Sequence, residues 1–214
     1  MREKEKLKRL LETSANGIIT TKQITSAGIH RSVLNDLVES GELYRFDRGL
    51  YLCDSAWEDD FYLLQQKYKR GIYSHDTALY LLGYSDRAPA KYTMTFPKGY
   101  NSSSLKQENI CIKRVVPENY TFGIIEIQSP CGNVIQVYDL ERSLCDILRG
   151  NGGDIQIIVS AMKKYVISKD KDINKLILYA EKLHVKPKIL RYLEVLLLLS
   201  KIRCPISHLK KIKL

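Results

Sequence analysis

The chain has 214 residues, of which 44% are hydrophobic and 27% charged, and its formal net charge is +10 at pH 7. This composition excludes a largely disordered chain, and the length favours one or two small hydrophobic cores beside a further module. The charge is uneven, because residues 151–214 carry fourteen Lys/Arg against five Asp/Glu, whereas residues 1–57 carry nine against eight and residues 58–150 carry eleven of each. This C-terminal excess favours a polyanion or an acidic protein partner, and solvated helix faces with a lysine-rich tail are the alternative.

The N-terminal residues lack the apolar core and cleavage site of a signal peptide, and the most apolar run, residues 195–199, is too short to span a bilayer. We therefore expect a cytoplasmic protein with no membrane partner. The five cysteines are far apart and form no C-x-x-C pair, which argues against a structural zinc site or a disulfide framework. No metal and no cofactor are expected.

The first part of the chain contains three short helix patterns separated by glycine turns. Leucines on one face of a charged segment predict the first helix. Thr20 and Gln23 have the form of a capping box that begins a second helix of about two turns, which Gly28 can end. His30 can cap a third helix, which Gly41 ends. This order of elements indicates a helix-turn-helix motif.

A β-hairpin pattern follows the third helix. Two apolar strand patterns, residues 43–46 and 50–53, flank the tight turn Asp47-Arg48-Gly49. Arg48 at the tip and Arg45 on the strand could reach phosphates or a minor groove, as the wing of a DNA-binding domain does. We therefore predict that residues 1–57 form a winged helix-turn-helix domain that binds double-stranded DNA.

The remainder is predicted to be mixed, so the fold class is α+β. A small α+β domain over 58–150 is expected to precede a basic helical region over 151–214, with a boundary at Asn151-Gly152-Gly153, although the two regions can also pack as one domain. The predicted helices cover residues 57–70, 75–82, 140–148, 154–165, 172–184 and 187–202. The predicted strands cover residues 92–96, 109–116, 123–128 and 134–138.

Two groupings of acid–base residues invite a catalytic interpretation, namely His75 with Asp76 and Glu141 with Asp146. Ser74 and Asp76 suit the start of a helix, so a capping and first-turn role is favoured over catalysis. The four histidines lack metal-ligand spacing, and the sequence has neither a glycine-rich phosphate loop nor a G-x-S-x-G elbow. We therefore do not expect an enzyme.

Three strings in order resemble the AbiEi antitoxins of type IV, abortive-infection toxin–antitoxin systems. The first consists of residues 28–31, 41–45 and 48–51, the second is Tyr73-Ser74-His75-Asp76-Thr77-Ala78-Leu79-Tyr80-Leu81, and the third is Val137-Tyr138-Asp139-Leu140-Glu141-Arg142-Ser143-Leu144-Cys145-Asp146. Together with residues 93–99, the resemblance covers about the first 150 residues. It implies a cytoplasmic repressor that binds inverted repeats in its own promoter and confers phage resistance by counteracting a nucleotidyltransferase-type toxin. Direct contact with that toxin is not implied.

The resemblance also implies which residues read DNA. Base contacts are assigned to Arg31, Ser32 and Asn35 in the third helix. Phosphate contacts are assigned to Thr20, Thr21, Lys22, His30, Arg45 and Arg48. The excess of positive charge in residues 151–214, and not the resemblance, suggests further phosphate or partner contacts at Lys163, Lys164, Lys186 and Lys188. The alternative hypothesis is a winged-helix regulator or scaffold without an antitoxin role, whose basic C-terminal region binds an acidic protein.

Overall fold

The computed structural model describes residues 2–13, 17–53, 59–101, 109–150 and 153–202. The chain divides into two compact units. Unit 1 comprises Met1–Arg70 and Glu126–Ile135, and unit 2 comprises Gly71–Ile125 and Gln136–Leu214. Helices and strands occur in both units, which confirms the predicted α+β class.

Unit 1 begins with three helices and a small antiparallel sheet. In chain order its elements are α1 (Arg2–Thr13), β1 (Ile18–Thr20), α2 (Thr21–Ser26), α3 (Ser32–Glu39), β2 (Leu43–Asp47), β3 (Leu50–Cys53) and α4 (Asp60–Lys67). The strand order is β1-β3-β2, with Ile19 opposite Tyr51 and Arg45 opposite Tyr51. The order of three helices followed by a β-hairpin is that of a winged helix-turn-helix.

Strands β1 and β3 of the unit 1 sheet are buried on both faces, whereas Tyr44, Arg45 and Phe46 of β2 are exposed. Successive side chains along a strand point to opposite sides, so β1 and β3 contact two different sets of residues. Ile19 and Tyr51 pack with residues of the first three helices, including Leu34. Ile18 packs on the other side with a cluster that includes Leu63 of α4. The segment at Ile18 and Ile19 was not predicted as a strand, since three residues are too few to show a periodic pattern.

The predicted capping box is present at the start of α2. The Gln23 backbone N–H donates to Thr20 Oγ1 at 3.2 Å, and the Thr20 N–H donates to Gln23 Oε1 at 2.8 Å. The prediction that His30 caps α3 is wrong, because the N-cap residue is Arg31, with a right-handed helical backbone and no side-chain capping bond. The backbone N–H of Ser32, the first residue of α3, nevertheless donates to His30 Nδ1 at 3.3 Å. The imidazole therefore satisfies one of the N–H groups that have no partner within the helix.

Helix α4 is shorter than the helix predicted over residues 57–70. It starts at Asp60 after the N-cap Asp59, whose carboxylate accepts the Tyr62 N–H at 3.1 Å. The same Asp59 carboxylate accepts hydrogen bonds from the Ser129 hydroxyl and the Asn133 side-chain amide. Residues 54–58, including the predicted helix start at residue 57, lie outside the described residues.

A mixed sheet and six helices form the rest of the described chain. The elements are β4 (Ile72–Tyr73), α5 (His75–Leu81), β5 (Tyr92–Pro97), β6 (Ile110–Val115), α6 (Pro117–Tyr120), β7 (Ile124–Gln128), β8 (Val134–Tyr138), α7 (Leu140–Leu148), α8 (Ile155–Ile167), α9 (Ile173–Lys182) and α10 (Lys186–Ile202). The strand order is β6-β5-β4-β8-β7. β5 runs parallel to β6, and β4 is antiparallel to β5 but parallel to β8.

Helix α7 belongs to the hydrophobic core of unit 2 and is buried from Glu141 to Leu148. Its apolar residues, such as Leu144 and Ile147, pack in one cluster with Ile158 of α8, Leu176 of α9 and Ile189 of α10. Residues 151–152 of the predicted domain boundary lie outside the described residues, but the helices on either side of it share this core. Within the described parts of the chain, none of the helices combines the length and apolar character that a bilayer-spanning segment requires.

Candidate nucleic-acid interface

A groove of about 660 Å³ lies between α3 and the hairpin of unit 1. It is lined by Thr21, His30, Arg31, Ser32, Leu34, Asn35, Arg45, Arg48, Gly49 and Tyr51. Seven of the nine residues expected to contact DNA therefore line one groove, although the sequence separates Thr21 from Arg48. Thr20 and Lys22 are not part of the lining.

The α3 side of the groove presents short polar side chains and one arginine. Arg31, Ser32 and Asn35 are all exposed and lie at the beginning of the helix. The residues at the N-terminal end of a recognition helix are the ones that reach base edges in a major groove. Asp36 and Glu39 are exposed elsewhere on α3, and the lining, all of it within the described part of the chain, contains no Asp or Glu. The carboxylates of Asp36 and Glu39 therefore lie outside the groove lining.

The hairpin turn is held by a local network around Asp47. Asp47 Oδ1 accepts the Arg48 backbone N–H at 2.6 Å, and Lys67 Nζ lies 3.1 Å from Asp47 Oδ2. The Arg48 N–H bond, together with the charges of Lys67 and Arg45, lowers the pKa of the Asp47 carboxyl below its usual value, against the opposing effect of burial. The carboxylate thus stays ionised at neutral pH and fixes the turn that carries Arg48.

The tip of the hairpin is fastened to the start of α2. The Thr21 backbone N–H donates to the Gly49 carbonyl at 2.9 Å. Gly49 has a φ of +80°, and a β-carbon at this position would lie 2.7 Å from Thr21 Oγ1. Any other residue at this position would force Thr21 or the hairpin turn to move, so glycine allows the close approach of the wing to the start of α2. Sequence reasoning assigned Gly49 to the turn and missed its contact with Thr21, because the two are 28 residues apart.

The four lysines assigned to the basic region have different surroundings in unit 2. Lys164 Nζ lies 2.8 Å from an Asp86 carboxylate oxygen, and Lys186 pairs with Glu181. Lys188 donates to the carbonyl of Leu148, the last residue of α7, at 2.8 Å and to that of Gly150 at 3.0 Å. These three lysines therefore take part in intramolecular bonds. Lys163 is exposed, and no ion pair of its side chain is present among the described residues.

The cluster at His75 and Asp76 has a structural explanation. Asp76 Oδ1 accepts the Thr77 N–H at 2.9 Å and the Thr93 hydroxyl at 2.7 Å. Ser74 is the N-cap residue of α5 but makes no side-chain capping bond, contrary to expectation; its hydroxyl accepts from the Thr95 hydroxyl at 2.8 Å instead. Burial, followed by nearby positive charges, lowers the pKa of His75 to about 3, so its imidazole is neutral at physiological pH.

The carboxylates of Glu141 and Asp146 bind two different cations. Asp146 pairs with Arg142 at 2.9 Å, and both side chains are almost fully buried. The Arg142 guanidinium also lies over the ring of Phe122 and donates to the Asn119 carbonyl. Glu141 instead lies 3.3 Å from Lys175. Across the described residues there is no group of His, Cys, Asp and Glu that could hold a metal ion.

Comparison with known proteins agrees with the geometry of unit 1. Residues 5–52 match the family model described as "Transcriptional regulator, AbiEi antitoxin". No curated protein matches the chain. The fold is similar to that of the RV2827C protein from Mycobacterium tuberculosis, with a TM-score of 0.57 and 16% sequence identity over 90% of this chain and 81% of that chain. This structural likeness extends across both units but concerns the fold alone. Over residues 5–52, the chain is therefore similar to the AbiEi antitoxin transcriptional regulators.

Proposed function

We propose that this protein is a bacterial type IV antitoxin that represses its own operon by binding inverted repeats in the promoter. The groove between α3 and the wing carries this proposal. It brings Arg31, Arg45 and Arg48 together with small polar side chains, and its lining has no acidic residue. Winged helices insert one α-helix into the major groove of DNA, and positive side chains beside that helix bind the DNA backbone. The groove has both of these features.

The groove supports a division of roles among its residues. Arg31, Ser32 and Asn35, at the start of α3, would contact base edges and determine the sequence that is bound. Arg45 and Arg48 on the wing would contact phosphates or the adjacent minor groove and set the register of the protein on DNA. The other predicted phosphate contacts are Thr20, Thr21, Lys22 and His30.

Residues 1–57 carry nine Lys/Arg against eight Asp/Glu, so one protomer has little overall attraction for DNA. Tight binding would then require two protomers on the two halves of an inverted repeat, which doubles the number of phosphate and base contacts. We propose this arrangement as the reason for a palindromic operator, and we place the protein in the cytoplasm, where its DNA target lies.

The antitoxin role is supported by the family match at residues 5–52. The proposed toxin is a nucleotidyltransferase-type enzyme encoded next to this gene. Co-expression tests it directly: the chain should restore growth to cells that express the neighbouring gene, and a variant with alanine at Arg31 and Arg48 should still do so if neutralisation is separate from DNA binding. Growth arrest that persists with the wild-type chain would contradict the antitoxin role.

The DNA-binding role is tested with the full-length chain and a labelled duplex from its own promoter. We expect specific binding that weakens with salt, and no such preference for a scrambled duplex of equal length. Lys163→Gln tests whether the basic region adds a phosphate contact. If it does, the slope of log affinity against log salt should fall by about 0.9. Truncation at residue 151 is not a suitable test, because α8, α9 and α10 contribute to the same core as α7.

A further inference from the structure

A second groove, of about 640 Å³, lies between α8 and α10 of unit 2. It is named the α8–α10 groove below. Its lining residues are Leu148, Gly153, Ile155, Ile158, Val159, Lys163, Lys188, Arg191, Tyr192, Val195 and Leu196. Most of these side chains are apolar, and all of the lining residues except Leu148 and Gly153 belong to α8 or α10.

Several apolar side chains of this region are exposed to solvent. Ile155 is 70% exposed and Val195 is 58% exposed, and both line the groove. Leu198, three residues after Val195 on α10, is 62% exposed. Residues three apart on a helix lie on the same side, so the apolar surface continues along α10 beyond the groove. A contiguous exposed apolar surface is more often an interaction site than a surface that stays exposed to water.

The polar residues of the α8–α10 groove all carry positive charge except the Tyr192 hydroxyl. Lys163, Lys188 and Arg191 contribute three cations, and its lining, which falls entirely within the described residues, contains no carboxylate. Lys188 is held in place by its bonds to two carbonyl groups at the C-terminal end of α7. The groove therefore combines an apolar floor with a positive rim, in which Lys188 has a fixed position.

We propose that the α8–α10 groove binds an acidic amphipathic helix of a partner protein. The apolar stripe of such a helix would cover Ile155 and Val195, and Asp or Glu residues beside that stripe would face the cations of the rim. This interaction is separate from DNA binding by unit 1 and goes beyond the proposed function.

Charge argues against two other occupants. Residues 203–214 of this chain contain four Lys/Arg and no Asp or Glu, so they would bring positive charge to a positive rim. A second copy of the same groove, packed by two-fold symmetry, would place the same three cations opposite one another. Like charges at an interface disfavour association, whereas an acidic helix is attracted.

The test uses the full-length protein and two labelled peptides of about 18 residues, which is about five helical turns. Both peptides carry the same leucine stripe, and the positions beside it are glutamate in one and lysine in the other. Fluorescence anisotropy should show binding of the glutamate peptide with a Kd on the order of 10 μM and binding of the lysine peptide that is about tenfold weaker or more.

Single substitutions assign the binding to the groove. Val195→Asp and Arg191→Glu should each weaken binding of the glutamate peptide by about tenfold or more, the first through the apolar floor and the second through the rim. Ile167→Asp is the matched control, because Ile167 is an exposed apolar residue of the same α8, 75% exposed, that does not line the groove. Its affinity should stay within about twofold of the wild type, and since all three positions are exposed, the variants should remain folded.

Four results would overturn the proposal. The first is equal binding of the two peptides, and the second is equal effects of Val195→Asp and Ile167→Asp. The third is a dimer of the wild-type chain in sedimentation that Val195→Asp dissociates, which would assign the groove to a second copy. The fourth is a rise in peptide affinity of about tenfold on deletion of residues 203–214, which would assign it to the C-terminal segment.

Discussion

Replacing Arg31 by alanine removes one guanidinium from the groove between α3 and the wing. Arg31 is exposed, lines the groove and makes no side-chain capping bond to α3. Because its side chain has no role in starting the helix, the substitution should leave unit 1 folded. Any change in DNA affinity then reports on a contact between Arg31 and DNA.

The size of the effect distinguishes a base contact from a phosphate contact. A bidentate arginine contact to guanine discriminates against the wrong base by about 1–3 kcal/mol, which is about 5- to 150-fold in affinity. We therefore expect Arg31→Ala to weaken binding to the promoter repeat by about tenfold or more. Binding to a scrambled duplex should weaken much less. A phosphate contact would instead weaken both duplexes equally and lower the salt slope by about 0.9.

The measurement is an anisotropy titration of both duplexes with the full-length chain at several salt concentrations. Lys69→Ala is the matched control, since Lys69 is an exposed cation of unit 1 that does not line the groove. It should change neither affinity by more than about twofold. Equal loss of affinity for the two duplexes would refute base recognition by Arg31, and an effect no larger than that of Lys69→Ala would refute the assignment of the groove to DNA.

Three further predictions concern the groups that hold the structure in place. Gly49→Ala introduces a β-carbon 2.7 Å from Thr21 Oγ1 at a φ of +80°, so it should displace the wing and weaken DNA binding in the same titration. Asp146→Ala leaves the fully buried Arg142 without its carboxylate and should lower the free energy of unfolding by about 3–5 kcal/mol in urea denaturation. Asp47 has a lowered pKa, so its contribution to stability is complete above the pKa of the unfolded carboxyl, near 3.8, and is lost as the pH falls through the lower folded value. The difference in melting temperature between the wild type and Asp47→Asn should accordingly shrink as the pH falls through that range.

Each of these predictions has a control within the chain. Gly41 has a φ of +75° but open space around its missing β-carbon, so Gly41→Ala shares the backbone strain of Gly49→Ala without the clash. Similar DNA affinities for the two variants would contradict the role of the contact at Gly49. Asp86 pairs with Lys164 at the surface and is 84% exposed, so Asp86→Ala should cost less than about 1 kcal/mol. A melting difference for Asp47→Asn that stays constant with pH would contradict the ionised state of Asp47 as its cause.

Local features of unit 1 could be predicted from the sequence because they depend on residues close together in the chain. The capping box joins Thr20 to Gln23, and the hairpin turn needs the short segment that ends at Gly49. The assignment of the seven groove residues rested on the AbiEi resemblance as well as on this pattern, and the family match confirms that resemblance over residues 5–52.

The tertiary structure decided what depends on residues far apart in sequence. The pairing of Ile18 with Leu52 makes a strand of a segment too short to predict, and the bond from Thr21 to Gly49 positions the wing. It also showed that Lys188 binds carbonyls at the C-terminal end of α7 and that Val195 remains exposed beside a cleft. The sequence by itself determined the order of most of the helices and strands and the chemistry of the residues that line the groove of unit 1, since both arise from local patterns of side chains. Which cations stay available to a partner, and which apolar faces stay uncovered, was decided only by folding, because burial and ion pairing depend on distant segments that meet in space.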